Sequence, residues 1–297
     1  MITAVPDYGF GPVPEPGRPG ELAPGLLRLT APNPGLMTGP GTNTYLVGQG
    51  ELAVVDPGPD DEVHRAAIVS AAQGRGTIRF VLVTHTHRDH APGAAALARE
   101  TGATMVGYGP ADGFTPDEAV GEGWQLNLGL GHVLRAVHTP GHASDHLCWL
   151  LPESQTLLTG DHVMHGSTVV IRPPDGELHA YLASLARVRQ AEPPMTTLAP
   201  GHGRLMDHVP EVIDALIAHR LGRHQRVAAA LGDLGQGTVD DLLAVVYADV
   251  TQAQLPVARF SLWAHLRALA SEGRASALNS APGADTIETR WRALPAA

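Results

Sequence analysis

His85-Thr86-His87-Arg88-Asp89-His90 packs three imidazoles and a carboxylate into six residues, directly after the apolar run Phe80 to Val83. Packing explains such a cluster poorly, because side chains of this kind enter a protein interior only with partners. They are, however, the side chains that hold divalent cations. In an extended segment alternate side chains share a face, so His85 and His87 can grip one ion together. Asp89 and His90 arrive where the chain turns into the next helix and can present ligands to a second ion. As a lone feature, Asp89 also reads as a helix cap.

Three further loops carry the same chemistry: Thr139-Pro140-Gly141-His142, Thr159-Gly160-Asp161 and Pro200-Gly201-His202-Gly203. Each follows or adjoins a strand-like run. A glycine beside the ligand lets the backbone come close to an ion. In all, five histidines and two aspartates are offered, a set suited to two divalent cations. His146 and His162 are candidates to support the ligands or face a substrate. Ser167 and Thr168 are candidates to line a pocket. Thr42 and Asn43 either contact substrate or close a turn between strands.

Around these loops, short apolar runs alternate with Gly, Pro and Asp. Thr44 to Val47, Leu52 to Val55, Phe80 to Val83 and Leu157 to Thr159 read as strands. Helices are expected over Glu62 to Ala72, after the His cluster between Pro92 and Gly102, and over Tyr181 to Gln190. Strands alternating with helices indicate a layered domain of sheets and helices. After about Pro210 the pattern changes. Residues 211–234 read as a helix, Thr238-Val239-Asp240-Asp241 resembles a capping box, and Pro256 opens a third helix with Phe260, Trp263, Leu266 and Leu269 on one stripe. Ala275 to Leu278 and Ile287 to Trp291 are expected as two short strands around a Pro-Gly turn. The domain boundaries that follow are an irregular lead-in over 1–25, a catalytic domain over 26–209 and a winged-helix-like domain over 210–297.

The chain carries a formal net charge of −10, and all 20 of its basic residues are Arg. No global basic field draws in polyanions. Arg220, Arg223 and Arg226 fall on one expected helix and read either as phosphate contacts or as a solvated face. Cys148, the single cysteine, excludes an intrachain disulfide and fits a reducing compartment. Its apolar setting, Leu147-Cys148-Trp149-Leu150-Leu151, reads as core and not as a nucleophile. No secretory signal or bilayer-length apolar run is visible, so a cytoplasmic protein with no membrane partner is expected. An oligomer is compatible with the sequence.

The ordered ligands resemble those of the metallo-β-lactamase superfamily: His-x-His-x-Asp-His, then a His, an Asp and a His on separate loops. The resemblance implies an α+β fold, an αββα sandwich with its site at one edge. It implies that His85, His87 and His142 bind one zinc, that Asp89, His90 and His202 bind another, and that Asp161 bridges them. Manganese or iron would also suit these ligands. Asn33-Pro34-Gly35, Gly41 to Val47, Gly160 to Met164 and the C-terminal module are similar to the β-lactamase-like protein 2 group, whose sandwich carries a winged-helix domain and some of whose members cleave single-stranded RNA.

By that resemblance the protein is a dinuclear hydrolase using a metal-bridging hydroxide, with Asp89 and Asp161 as catalytic residues. Two divalent ions outweigh two aspartates and a hydroxide, so the site favours substrates that are or become anionic. The group resemblance points to single-stranded RNA. The absence of Lys, the negative net charge and an aromatic content of only 4% point away from strong nucleic-acid binding. Hydrolysis of a small thioester, ester or lactone, as in glyoxalase II, uses the same ligands. A metal-stabilised binding module without turnover is the third reading.

Overall fold

The computed structural model describes residues 6–278, 281 and 283–295. Residues 1–5 of the expected lead-in and Pro282 of the expected Pro-Gly turn lie outside them.

Two sheets face each other. A six-stranded sheet runs in chain order through Gly20–Ala23, Leu26–Thr30, Asn43–Val55, Gly76–Leu82, Thr104–Gly107 and Glu118–Ala119. A seven-stranded sheet orders Gly9–Phe10, Leu205–Met206, Thr197–Pro200, Thr156–Gly160, Leu147–Leu151, Val133–His138 and Gln125–Asn127. Strand alternation builds the layers. Tyr45, Val47, Ala53 and Val55 point between the sheets, where they meet Leu134, Leu147, Trp149 and Leu158. Leu46, Leu52 and Val54 point outward, onto helices α1 (Glu62–Ala72) and α2 (Gly93–Thr101). On the far side Cys148, Leu157 and Leu198 point outward onto α3 (Leu178–Arg189) and α4 (Val209–Leu234). The result is the αββα sandwich.

Helix termini follow the local signals. Asp61 caps α1 by accepting from His64 N at 2.7 Å. Pro92 precedes α2, and Gly102 ends it in the left-handed region at φ 73°. The two runs read as separate strands, Thr44 to Val47 and Leu52 to Val55, form one 13-residue strand. It pairs antiparallel with Leu26–Thr30 through its first half and parallel with Gly76–Leu82 through its second. Neighbours on both sides supply partners that keep the strand continuous across Gly48 and Gly50.

Beyond α4 come α5 (Val239–Val246), opened by the Thr238/Asp241 capping box, and α6 (Leu255–Ser271). Their shared core holds Val227, Leu242, Leu262, Trp263, Leu266, Leu269 and Trp291. The small sheet has three strands, where two were expected: Gln236–Gly237 joins Trp291–Ala293, which also pairs with Ala275–Ala277. Ile287 lies before that central strand, in a turn region. Ala264 and Ala268 of α6 pack into the core beneath the seven-stranded sheet, so the C-terminal module abuts the sandwich.

Candidate metal centre

The ligand loops meet because of strand direction. Thr156–Gly160 and Thr197–Pro200 are parallel neighbours, so Asp161 and His202 emerge side by side. Val133–His138 and Thr156–Gly160 both run antiparallel to Leu147–Leu151, so His142 emerges at the same edge. The His85–His90 segment leaves Gly76–Leu82 opposite them. Backbone bonds join the sheets there: Leu147 N donates to Thr84 O at 2.7 Å, and Asn43 N donates to Gly201 O at 2.7 Å. Gly141 sits at φ 136°, and a side chain there would meet the Tyr181 backbone at 2.3 Å.

Two groups of potential ligand atoms result, His85/His87/His142 and Asp89/His90/Asp161/His202, with the atoms of each within 4.8 Å of one another. In the first, Nδ1 of His87 lies 2.9 Å from Nε2 of His85 and 3.0 Å from Nε2 of His142. In the second, Nε2 of His202 lies 3.1 Å from Asp89 Oδ2 and 3.3 Å from Asp161 Oδ1. Nε2 of His90 lies 3.4 Å from Asp161 Oδ1. The other oxygen of Asp161 faces the first group, 3.7 Å from His142 Nε2. One carboxylate thus offers an oxygen to each group.

In four of the five candidate histidines the ring nitrogen turned away from the centre is anchored. His90 Nδ1 meets Asp56 Oδ2 at 2.8 Å, His142 Nδ1 meets Val170 O at 2.6 Å, His85 Nδ1 meets Thr84 Oγ1 at 3.0 Å and His202 Nδ1 meets Gly41 O at 3.3 Å. Such partners fix ring orientation and leave Nε2 free to ligate. Nε2 of His90 and of His202, and Oδ1 of Asp161, are buried without a hydrogen-bond partner. Buried polar atoms left unpaired are costly, and three converging on one point fit a cation.

The electrostatics are divided. Burial, aided by the neighbouring imidazoles, holds His85 well below the ordinary histidine value and His142 at about 4. For His90 burial also opposes charge, but Asp89, Asp161 and Asp56 outweigh it and raise its pKa. Burial opposes ionisation of Asp161, yet His202 and His90 keep its carboxyl well below the usual range. His85 and His142 of the first group are therefore held neutral, and the second group is acid-rich, two forms of a donor set for divalent ions.

The remaining candidates separate. His146 is buried behind the ligands: its Nε2 accepts from Asp161 N at 3.2 Å, leaving Nδ1 to donate to Thr139 Oγ1 at 2.9 Å. His162 is buried, has no partner on either ring nitrogen and packs edge-on against Tyr181. Thr42 and Asn43 are fully buried and hydrogen-bonded into the framework. Asn33 donates to Thr42 Oγ1 at 3.0 Å, while Asn43 Nδ2 donates to Pro200 O and Gly203 O and so holds the His202 loop. Ser167 and Thr168 line a cavity beside Val170. Cys148 lies in the core, and burial pushes its thiol up to about 12. Arg220 and Arg223 are buried, which corrects the solvated-face reading of that helix. Asp56 was missed; an Asp-Pro-Gly end to a strand reads as a turn, and only the fold brings it to His90.

Residues 37–202 match the metallo-beta-lactamase superfamily. The chain belongs to that superfamily. Residues 238–291 match the beta-lactamase associated winged helix domain. The superfamily member is similar to the beta-lactamase-like protein 2 homolog of Caenorhabditis elegans, 30% identical over 238 residues, covering 77% of this chain and 78% of that one. It is also similar to an atrochrysone carboxyl ACP thioesterase of Aspergillus fumigatus, 32% identical over 219 residues, covering 72% of this chain and 67% of that one. A beta-lactamase domain protein from Burkholderia ambifaria shares the fold, with TM-score 0.79, 22% identity and 97% of each chain covered. This is a hydrolase family, and the His/Asp groups are its candidate dinuclear centre. No described helix is long and apolar enough to cross a membrane.

Proposed function

We propose that the protein is a dinuclear zinc hydrolase acting on an acyl thioester or ester. The observation that carries this reading is a cavity of about 150 Å³ walled by Leu36, Met37, Met164, Val169, Val257 and Ala258. The cavity shares Val170 with the metal centre, where its carbonyl oxygen holds His142. The apolar part of that lining, joined to the centre through Val170, suits an acyl chain. The similarity to a carrier-protein thioesterase supports the same substrate class. Cleavage of single-stranded RNA draws less support, since the chain has no Lys and a formal net charge of −10.

His85, His87 and His142 would hold one ion and Asp89, His90 and His202 the other, with Asp161 shared. Bound zinc supplies a water acidic enough to ionise near neutral pH and a Lewis acid for the scissile carbonyl. The protein fixes the ligands through Asp56, Thr84, Gly41 and Val170. Asp89, held at about 2 because His90 and His202 outweigh its burial, stays ionised and can orient the attacking water.

Full-length, metal-quantified protein should hydrolyse acyl thioesters with chelator sensitivity and leave a fluorogenic single-stranded RNA intact. Chelator-sensitive RNA cleavage without thioester turnover would move the protein to the nuclease reading.

A further inference from the structure

Arg220 is 2% exposed, and no carboxylate among the described residues pairs with it. One terminal nitrogen donates to Val169 O, the guanidinium lies 5.4 Å from the centre of the Tyr181 ring, and Nε has no partner. Arg223, one turn along α4, is 3% exposed and also leaves Nε unpaired. Its terminal nitrogens meet Asp249 at 2.8 and 3.1 Å, but Asp249 is shared with Arg226 at 3.1 Å. Asp249 therefore serves two guanidinium groups, and Arg220 is left without a carboxylate.

Two more buried atoms beside them are orphaned, the Tyr247 hydroxyl and Nδ1 of His219. Arg220, Arg223, Tyr247 and His219 all line the cavity described above. The local field is positive enough to register on neighbours: burial first, then Arg220 and Arg223, press His219 to about 4. A buried charge without a counter-charge is expensive, and unpaired polar atoms on residues that line a cavity are accounted for by a polar group entering it. A purely structural tie between α4 and the sandwich accounts for the bond to Val169 O. It leaves unexplained four orphaned polar atoms on residues that line one cavity.

We propose that Arg220, with Arg223, His219 and Tyr247, forms an oxyanion subsite that takes a carboxylate or phosphate at the end of the substrate remote from the scissile bond. The identity of that substrate rests on the acyl-hydrolase reading; the anion site itself does not. Residues 169 and 170 set the spacing. Val169 O accepts from Arg220, and the next carbonyl, Val170 O, holds His142. An anionic end at Arg220 would therefore direct the other end of a short chain toward the metal ligands. The site lies where the winged-helix module meets the sandwich and gives that module a role in selecting substrate.

The test uses the full-length, metal-loaded protein and has two arms. In the first, inorganic phosphate and glutarate are titrated calorimetrically into the wild type, Arg220→Met and Arg220→Lys, with metal content measured in each. At least one anion should bind the wild type. The Met variant should weaken it at least tenfold at unchanged metal content, and the Lys variant should retain most of it. Phosphate alone binding would assign the subsite to a phosphate group, and glutarate binding to a carboxylate. Equal affinity in wild type and the Met variant, or no binding of either anion, overturns the subsite. In the second arm, KM for a glutaryl thioester should lie at least tenfold below that for the pentanoyl thioester in the wild type, with the ratio falling toward one in Arg220→Met. Where glutarate binds in the first arm, a ratio near one in the wild type also overturns the proposal. If neither thioester turns over, the acyl-hydrolase reading fails, and the titration alone decides the subsite.

Discussion

Oδ2 of Asp56 lies 2.8 Å from Nδ1 of His90, and Oδ1 of the same carboxylate accepts the Thr84 backbone N–H at 2.6 Å. A buried aspartate thus joins one candidate ligand to the strand end that launches the others. It holds His90 in the tautomer that presents Nε2 to the centre. Asp56→Asn should keep the fold and weaken the ion held by Asp89, His90 and His202 by roughly ten- to a hundredfold. Competition with a chromophoric chelator would measure this, and unchanged affinity for both ions would remove Asp56 from the site.

Gly201 leaves room for two ligands. A methyl group there would stand 2.7 Å from His90 Cε1 and 3.0 Å from Asp161 Oδ1. Gly201→Ala should therefore lower metal occupancy and turnover together while the far-ultraviolet dichroism stays native. A variant with full metal content and activity would show that the loop yields easily and that Gly201 has no positioning role.

Asn43 separates a framework role from a substrate contact. Its amide donates to Pro200 O and Gly203 O at 3.0 and 2.9 Å, and its Oδ1 accepts from Thr30 Oγ1 at 2.9 Å. Asn43→Ala leaves buried partners unpaired and should cost about 1–3 kcal/mol of stability. At saturating metal its KM should match the wild type. A raised KM with unchanged stability would restore Asn43 as a substrate contact.

Acid sensitivity follows from buried neutral histidines. His64, anchored at 2.8 Å to Thr44 Oγ1, is pressed to about 4, chiefly by burial. The unfolded chain binds this proton from about pH 6.5 downward while the folded chain refuses it until about pH 4. Stability of the metal-free protein should therefore fall as pH drops across that window, with His64 contributing on the order of 1–3 kcal/mol. Urea midpoints for His64→Leu should show a shallower decline than the wild type. Parallel declines would mean that His64 does not titrate as its burial requires.

Much of this was legible in the sequence where a residue's role follows from its immediate neighbours. The His85–His90 cluster, the Gly-flanked loops at His142, Asp161 and His202, the Thr238 capping box and the bounds of α1 are local signals. What was illegible depends on partners distant in sequence. Asn43 is 157 residues from the Pro200 carbonyl that it holds. The 13-residue strand stays intact because two different neighbours pair with its halves. Arg220 and Arg223 have the spacing of a solvated helix face, and only the docking of α4 against Val169 and Asp249 buries them.

The most direct test of the dinuclear centre is a crystal structure of metal-loaded protein with anomalous data collected on either side of the zinc absorption edge. The account predicts two zinc peaks, one against His85, His87 and His142 and one against Asp89, His90 and His202, with an oxygen of Asp161 directed at each. A fully loaded crystal with a single peak, or with peaks away from Asp161, would contradict it.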